Sequence, residues 1–404
     1  MCNRRSVSSV WAAALVVAVA PGWGFAAALA AERVAGEMFD RAAETLRQHY
    51  YDKQFRTERL PQLIERFRPL ALAARTRDEE RAAVHALLAE IPATHMGVIS
   101  KSAMDALMRD LRCSAAPTLG FELIEYDGKQ FAHQVLEGGP AAQAGLLRGD
   151  RIVAIDGVPV GESPRLDWRT DDAYLPDPPV RGLLVGDGER VELLIERRPG
   201  ALRTLTVAAR PYSAWRAAKA SARVYEQKGQ KIAYIHFWYI HFTGVDKLLR
   251  DTLTNEFADC DALVLDLRGR GGNGAVIGSI VRLFDGDAAV WRKPVIALVN
   301  RLSRSAKEVI AYEFRKRGCA TLVGEPTAGA VIPASFADIG EDTLLMFPAF
   351  KLKGYTDELE GVGVRPHISV CDAGPFSAGA DPVLEAGLVR AVEEIRTRRA
   401  ARSD

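Results

Sequence analysis

Ser305 stands where a short apolar run, Val295–Val299, has ended and a stretch with helical spacing, Ala306–Arg317, begins. A hydroxyl at such a junction can be exposed, and the first amides of the helix have no intrahelical acceptor and can hold a nearby negative charge. Upstream, Leu263–Gly274 reads LVLDLRGRGGNG, a second apolar run that ends in bare glycines whose N–H groups no side chain screens. One hydroxyl and a set of unhindered N–H donors are the parts that acyl transfer requires. The simpler reading of Ser305 is a helix N-cap. Serine is a poor nucleophile at neutral pH and needs a base, which histidine supplies without an extreme pKa shift. The chain has seven histidines, and residue type alone does not choose among them.

The surrounding pattern predicts an α/β multidomain protein. KIAYIHF, ALVLDLRG, PVIALVN and ATLVGE are near-continuous apolar runs, as expected of parallel strands covered on both faces. GAVIGSIVRLF and AKEVIAYEFRK read as the helices between them, and Asp381-Pro382 opens a last helix with an N-cap and Pro at its first position. Residues 32–112 have helical periodicity and read as a small bundle whose exit loop carries His95. Residues 114–212 hold short strand-like runs around GPAAQAG, a short helix bounded by glycines. Glu162–Arg181, polar and rich in proline, reads as an insertion loop there. Residues 213–404 form the α/β core with its C-terminal helix.

DLRGRGG, SRSAKE and LVGEPTAG, in that order, resemble the C-terminal-processing (tail-specific) serine peptidases. The resemblance implies a crotonase-like core with Ser305 as nucleophile. Many bacterial members place a lysine base in the turn after GEPT, and here that position is Ala330, which cannot take a proton. Thr94-His95 resembles the tricorn-like branch instead, which implies His95 as base, oriented by the Thr94 hydroxyl, itself held by Glu360. That branch has Ser where Thr94 stands. The oxyanion would then meet the N–H of Ala306 and one from Gly271 or Gly272. GPAAQAGLLRGDRIVAIDG resembles a circularly permuted PDZ domain, and Leu119, Gly120 and Phe121 match its loop for a peptide C-terminus. Lys307 is disfavoured as a substitute base, because residues two apart on a helix do not face each other. Asp266 and Arg268 are expected to brace the glycine loop, His236 and His241 to be packing or rim residues, and His367 to lie on the surface.

Net charge is +1 with no basic tract, which argues against nucleic acid or an anionic membrane as partner. Arg4-Arg5, the apolar run Val10–Ala20 and Ala28-Leu29-Ala30 read as a cleavable signal peptide over residues 1–30, implying a periplasmic or secreted protein without stable membrane insertion. Beyond Cys2, four of the five cysteines remain: Cys113, Cys260, Cys319 and Cys371. Their pairing is open, with Cys260–Cys319 or unpaired buried thiols as the alternatives. No spacing suggests a metal site, and no cofactor is implied. The expected function is an exported serine endopeptidase acting on unfolded or C-terminally exposed proteins. The alternative is an inactive PDZ-containing binding protein that uses the old cleft for a ligand.

Overall fold

The computed structural model describes residues 35–170, 173 and 180–403, so the expected signal peptide lies outside the described residues. The four apolar runs are adjacent strands of one six-stranded sheet, whose order is Arg223–Gln227, Gln230–His236, Ala262–Asp266, Val295–Val299, Thr321–Gly324 and Ile368–Ser369. The first pair is antiparallel and the rest are parallel. Every residue of Ala262–Asp266 and Val295–Val299 is buried, because helices cover both faces. Ala306–Arg317, Val245–Thr254 and Ile277–Val281 contribute to the core on one side. The long helix Pro382–Ser403 inserts Val383, Leu388, Ala391, Val392 and Ile395 on the other. Asp381 starts that helix as expected, its Oδ1 accepting the Leu384 N–H at 3.0 Å.

This topology gathers three loops at one edge. His236, Asp266 and Val299 end neighbouring parallel strands, so the aromatic segment 237–241, the glycine loop 267–273 and the Ser305 loop leave the sheet side by side. In open α/β sheets the crevice beyond the strands' carboxyl ends is where ligands bind.

The N-terminal helices Glu37–His49, Leu60–Ala73 and Arg77–Ala89 bury Phe39, Leu46, Leu63, Val84 and Leu87. They do not close a core alone, since Ile339, Leu345 and Phe347 belong to the same cluster. Residues 97–100, expected to continue the bundle, form the strand Gly97–Ser100, paired antiparallel with Thr343–Pro348. Val98 and Ile99 favour this extended form, being stiff at χ1 and buried. The pairing draws the His95 loop toward the C-terminal part of the chain.

Between these parts lies an eight-stranded antiparallel sheet. Its strand Phe121–Tyr126 pairs with Lys129–Val135 on one edge and with Val180–Leu183 on the other. The expected loop Glu162–Arg181 therefore carries strand structure, Leu166–Thr170 pairing with Val180–Leu183, where the alternation of buried and half-buried residues outweighs a polar composition. The four described cysteines are free thiols, with Cys260 buried and Cys371 exposed. No helix among the described residues is long and apolar enough to cross a membrane.

Candidate active site

Ser305 has φ 54° and ψ −125°, a conformation that L residues other than glycine rarely adopt. Its side chain makes no capping hydrogen bond, so it is not an ordinary N-cap. Its N–H donates to the Ala330 carbonyl at 2.7 Å, which holds the strained residue in place. A sharp strand-to-helix turn with a strained serine at its apex presents the hydroxyl clear of the backbone, as in nucleophile elbows. Ala306, the next residue, is the first of the helix, and its N–H has no intrahelical acceptor.

Glycine is required opposite this turn. A Cβ on Gly271 would lie 2.6 Å from the Ser305 Cβ and 2.7 Å from the Arg304 carbonyl oxygen. On Gly272 (φ +137°) it would lie 2.2 Å from the Ile240 oxygen. Ile240 donates its N–H to the Gly271 carbonyl (3.0 Å) and accepts from the Asn273 N–H (2.7 Å), a bridge that leaves the Gly272 N–H without a backbone acceptor among the described residues. The loop is braced further back. Lys307 is fully buried, with Nζ donating to the carbonyls of Arg268 (2.7 Å) and Trp238 (3.0 Å). Burial pushes its ammonium down to about 7. Arg268 donates to both Asp266 and Asp381, and the Gly269 N–H donates to Asn300 Oδ1 at 3.2 Å. Asp266 and Arg268 thus sit in the bracing positions expected of them.

His95 is buried and has φ 57°. Thr94 Oγ1 lies 3.3 Å from His95 Nδ1 and donates to Glu360 Oε1 at 2.6 Å. With its proton committed to the carboxylate, the Thr94 oxygen can accept from an Nδ1–H, the tautomer in which Nε2 carries the lone pair that takes a proton. Glu360 Oε1 also accepts the Thr94 N–H (2.8 Å), while Oε2 accepts the N–H groups of Val331 (3.0 Å) and Ile332 (2.9 Å). Ala330, whose carbonyl takes the Ser305 N–H, immediately precedes these two. A continuous series of bonds therefore links Thr94 and His95 to Ser305 through residues 330–332. Burial first, then Arg304, holds the His95 imidazole well below its ordinary value. Glu308 closes the same turn from the helix side, accepting from Thr327 Oγ1 and from the Gly329 and Ala330 N–H groups (both 2.8 Å). Burial raises its carboxyl to about 7 against those bonds.

Ser305, Ala306 and Gly271 are thus contiguous, and Thr94, His95 and Glu360 form one network joined to them. Leu119 and Gly120 form the short loop that leads into the strand Phe121–Tyr126 of the antiparallel sheet, apart from these loops. The Gly120 N–H is already bonded to Thr118 Oγ1 (3.0 Å), and Val180–Leu183 pairs with Leu123 and Ile124. A peptide adding beside Leu123 and Ile124 would have to displace the chain's own strand. What stays open is a cavity of about 280 Å³ bordered by Thr118, Phe121, Glu122, Arg109 and Tyr212. His367 is exposed as expected, and its Nδ1 accepts the Leu322 N–H at 2.9 Å. His241 Nδ1 donates to the Asp110 carbonyl (2.7 Å), and burial lowers its pKa to about 4.

Sequence reasoning weighed Lys307 only as a base and missed its bracing role, and it missed Glu308 and Arg270. The Arg270 guanidinium reaches Glu122 (2.9 Å) and the Tyr239 hydroxyl (3.1 Å), tying the glycine loop to the strand Phe121–Tyr126. Charged residues in the first turn of a helix or among glycines look solvated. Only the apolar run on every side of SRSAKE hinted otherwise.

Three family models match: Peptidase family S41 over residues 281–370, a PDZ domain over 131–170, and the tricorn protease C1 domain over 34–84. Among curated relatives, a tricorn protease of Thermoplasma volcanium is 24% identical over 396 residues, covering 89% of this chain and 36% of its own length. Tricorn protease homolog 1 of Streptomyces coelicolor is 27% identical, with 88% and 35% covered. A chloroplastic C-terminal processing peptidase of Tetradesmus obliquus is 25% identical, with 85% and 80% covered. The chain spans about a third of the length of the two tricorn relatives. Among solved structures, a photosystem II D1 C-terminal processing protease shares the fold at 19% identity and TM-score 0.50, with 84% and 94% covered. The tricorn protease does so at 18% identity and TM-score 0.52, with 90% and 37% covered.

Proposed function

From the premise that the chain belongs to the S41 serine peptidase family, with tricorn-like features, we propose that it hydrolyses peptide bonds with Ser305 as nucleophile and His95 as base. His95 Nε2 takes the hydroxyl proton as Ser305 Oγ attacks the scissile carbonyl. The N–H of Ala306 and that of Gly271 or Gly272 hold the oxyanion. The imidazolium then gives its proton to the leaving amine, and water, activated by the same base, releases the acyl group. The Thr94 hydroxyl and the Glu360 carboxylate act through His95 and are positioning residues. The substrates are unfolded or C-terminally exposed protein chains in an exported compartment, and the chain is organised as a helical N-terminal part, a PDZ-like module and a crotonase-like core. A peptide C-terminus is received at Leu119–Phe121, and a chain running on beside Leu123 and Ile124 meets the strand Val180–Leu183.

The observation that carries this reading is the Ser305 backbone. A residue held at φ 54° without a capping bond is a strained position that structural duty alone does not explain. Wild type and Ser305→Ala, incubated with an unfolded protein and with a fluorophosphonate probe, test it. Cleavage and labelling are expected in the wild type only. Equal cleavage by both would remove Ser305 from the mechanism, and a wild type that neither cleaves nor labels would favour a binding protein.

A further inference from the structure

A second cavity, of about 290 Å³, is bounded by Gly269, Gln134, Arg148, Trp238 and the rings of Tyr225 and Tyr234. Ser305, His95 and Glu360 are not among its walls. Its volume is near the lower end of small-molecule pockets. Gln134 is only 3% exposed, and its Nε2 has no hydrogen-bond partner among the described residues. That nitrogen lies 3.5 Å from where a Cβ on Gly269 would stand, and glycine at this position keeps the space before it empty. Arg148 Nε is a second buried donor without a partner, although Nη2 of the same guanidinium pairs with Asp372 at 2.7 Å. Buried donors without acceptors are destabilising and rare, so two on the walls of one cavity mark a place where an acceptor on a bound molecule is favoured.

The acidic residues lining the cavity do not supply it. Glu137 is engaged by His236 Nδ1 (3.0 Å) and Trp238 Nε1 (2.6 Å). Asp381 is engaged by both Nη atoms of Arg268 (2.8 and 2.7 Å). Arg223 is exposed at the margin of the cavity. It lies over the rings of Tyr225 (5.6 Å) and Tyr234 (5.0 Å) and has no carboxylate partner among the described residues. The cavity thus offers unspent donors, an unpaired positive charge and aromatic walls.

We propose that this cavity binds a small carboxylate with an amide and an apolar side chain, a molecule the size of one acylated amino-acid residue. The carboxylate and amide oxygens satisfy Gln134, Arg148 and Arg223, and the apolar part packs on Trp238 and the two tyrosines. Such a group is either the last residue of a peptide or a free acylated amino acid. The proposal is independent of the peptidase reading, because its readout is binding rather than turnover.

The test is calorimetric titration of the full chain carrying Ser305→Ala with N-acetyl-leucine, N-acetyl-leucinamide and a hexapeptide ending in leucine carboxylate. N-acetyl-leucine should bind saturably at millimolar concentration or below, and the amide about tenfold more weakly, as loss of a charge-assisted bond implies. Arg223→Gln, at an exposed site where folding is not at stake, should weaken acid binding by a similar factor, and so should Gln134→Leu. A hexapeptide that binds like the small acid and is sensitive to Arg223→Gln identifies chain ends as the source. One that fails to bind identifies the free acylated amino acid. Absence of saturable binding by any of the three, or binding that ignores both substitutions, overturns the proposal.

Discussion

Glu360 and Thr94, 266 residues apart, are joined twice: one carboxylate oxygen accepts both the Thr94 N–H at 2.8 Å and its hydroxyl at 2.6 Å. The other oxygen takes two N–H groups from the turn that follows Ala330. A single carboxylate thus fixes the histidine loop against the turn that holds the Ser305 N–H. Glycine is needed nearby for the same closeness, since a Cβ on Gly329 would lie 2.9 Å from the Val362 nitrogen.

The first prediction follows from this bonding. In Glu360→Gln one oxygen becomes an NH₂ that faces donors already in place. Loss of a hydrogen bond to a charged group is worth about 1.5–3 kcal/mol, so kcat should fall by roughly ten- to more than a hundredfold. Thr94→Val keeps the shape but loses both hydroxyl contacts, and should fall similarly, while Thr94→Ser retains most of the rate. The kinetics of an unfolded fluorogenic substrate check this. A Thr94→Val enzyme with wild-type kcat would show that the hydroxyl does not orient the base.

The second prediction concerns pH. An unburied histidine base would lose activity as pH falls through about 6.5. Burial and Arg304 lower the His95 pKa, so its neutral, proton-accepting form persists further into acid. The acidic limb of kcat/KM should therefore lie below 6.5. The stability linkage has the same direction: the unfolded chain takes up a proton as pH drops through about 6.5 while the folded chain does not, so the His95 contribution to stability is lost toward acid. His95→Gln should abolish the limb together with the activity. An acidic limb above 6.5 would mean that another group controls the rate.

How much of this was legible in the sequence depended on whether a residue's role was local. The parallel strands were readable because strands covered on both faces give continuous apolar runs, and the Ser305 turn was readable from its neighbours. Gly97–Ser100 was not, because its partner Thr343–Pro348 is far away in the chain and four residues are too few for a period. Val180–Leu183 was hidden for another reason: its place between Phe121–Tyr126 and Leu166–Thr170 arises from tertiary pairing, in a stretch whose prolines and charges read as loop. Lys307 was judged by helical geometry relative to Ser305, which was sound. What it overlooked was that a side chain turned away from the hydroxyl could reach the back of the glycine loop.

Lys307 gives the third prediction. In Lys307→Met the carbonyls of Arg268 and Trp238 lose their donor, the glycine loop relaxes, and kcat should drop by about tenfold or more, since removing one oxyanion donor typically costs 10²–10³. Stability supplies an independent readout. Burial lowers the Lys307 pKa to about 7 from its ordinary 10.5. Between those values the unfolded chain binds the extra proton, so the lysine's contribution rises with pH from about 7 to 10.5. The stability of wild type minus that of Lys307→Met, measured by urea unfolding, should therefore increase with pH across this window. A difference that stays flat would contradict the assigned burial.

The last prediction tests the link between the two sheets. Arg270, buried beside Gly271, donates to Glu122 at 2.9 Å and to the Tyr239 hydroxyl at 3.1 Å, so the strand Phe121–Tyr126 and the glycine loop share one buried ion pair. Breaking such a pair from one side leaves a buried charge without its partner and costs about 3–5 kcal/mol, whereas replacing both partners with neutral groups of similar size costs much less. Glu122→Gln should therefore destabilise the chain more than the double variant Glu122→Gln, Arg270→Met, and the two single effects should not add. Because Arg270 directly precedes Gly271, Glu122→Gln should also lower kcat while leaving the fold intact by circular dichroism. The double variant should recover stability but not rate, since neutral side chains no longer anchor the loop that faces Ser305. Additive stability effects, or a Glu122→Gln enzyme with unchanged kcat, would show that this pair neither couples the sheets nor steadies the glycine loop.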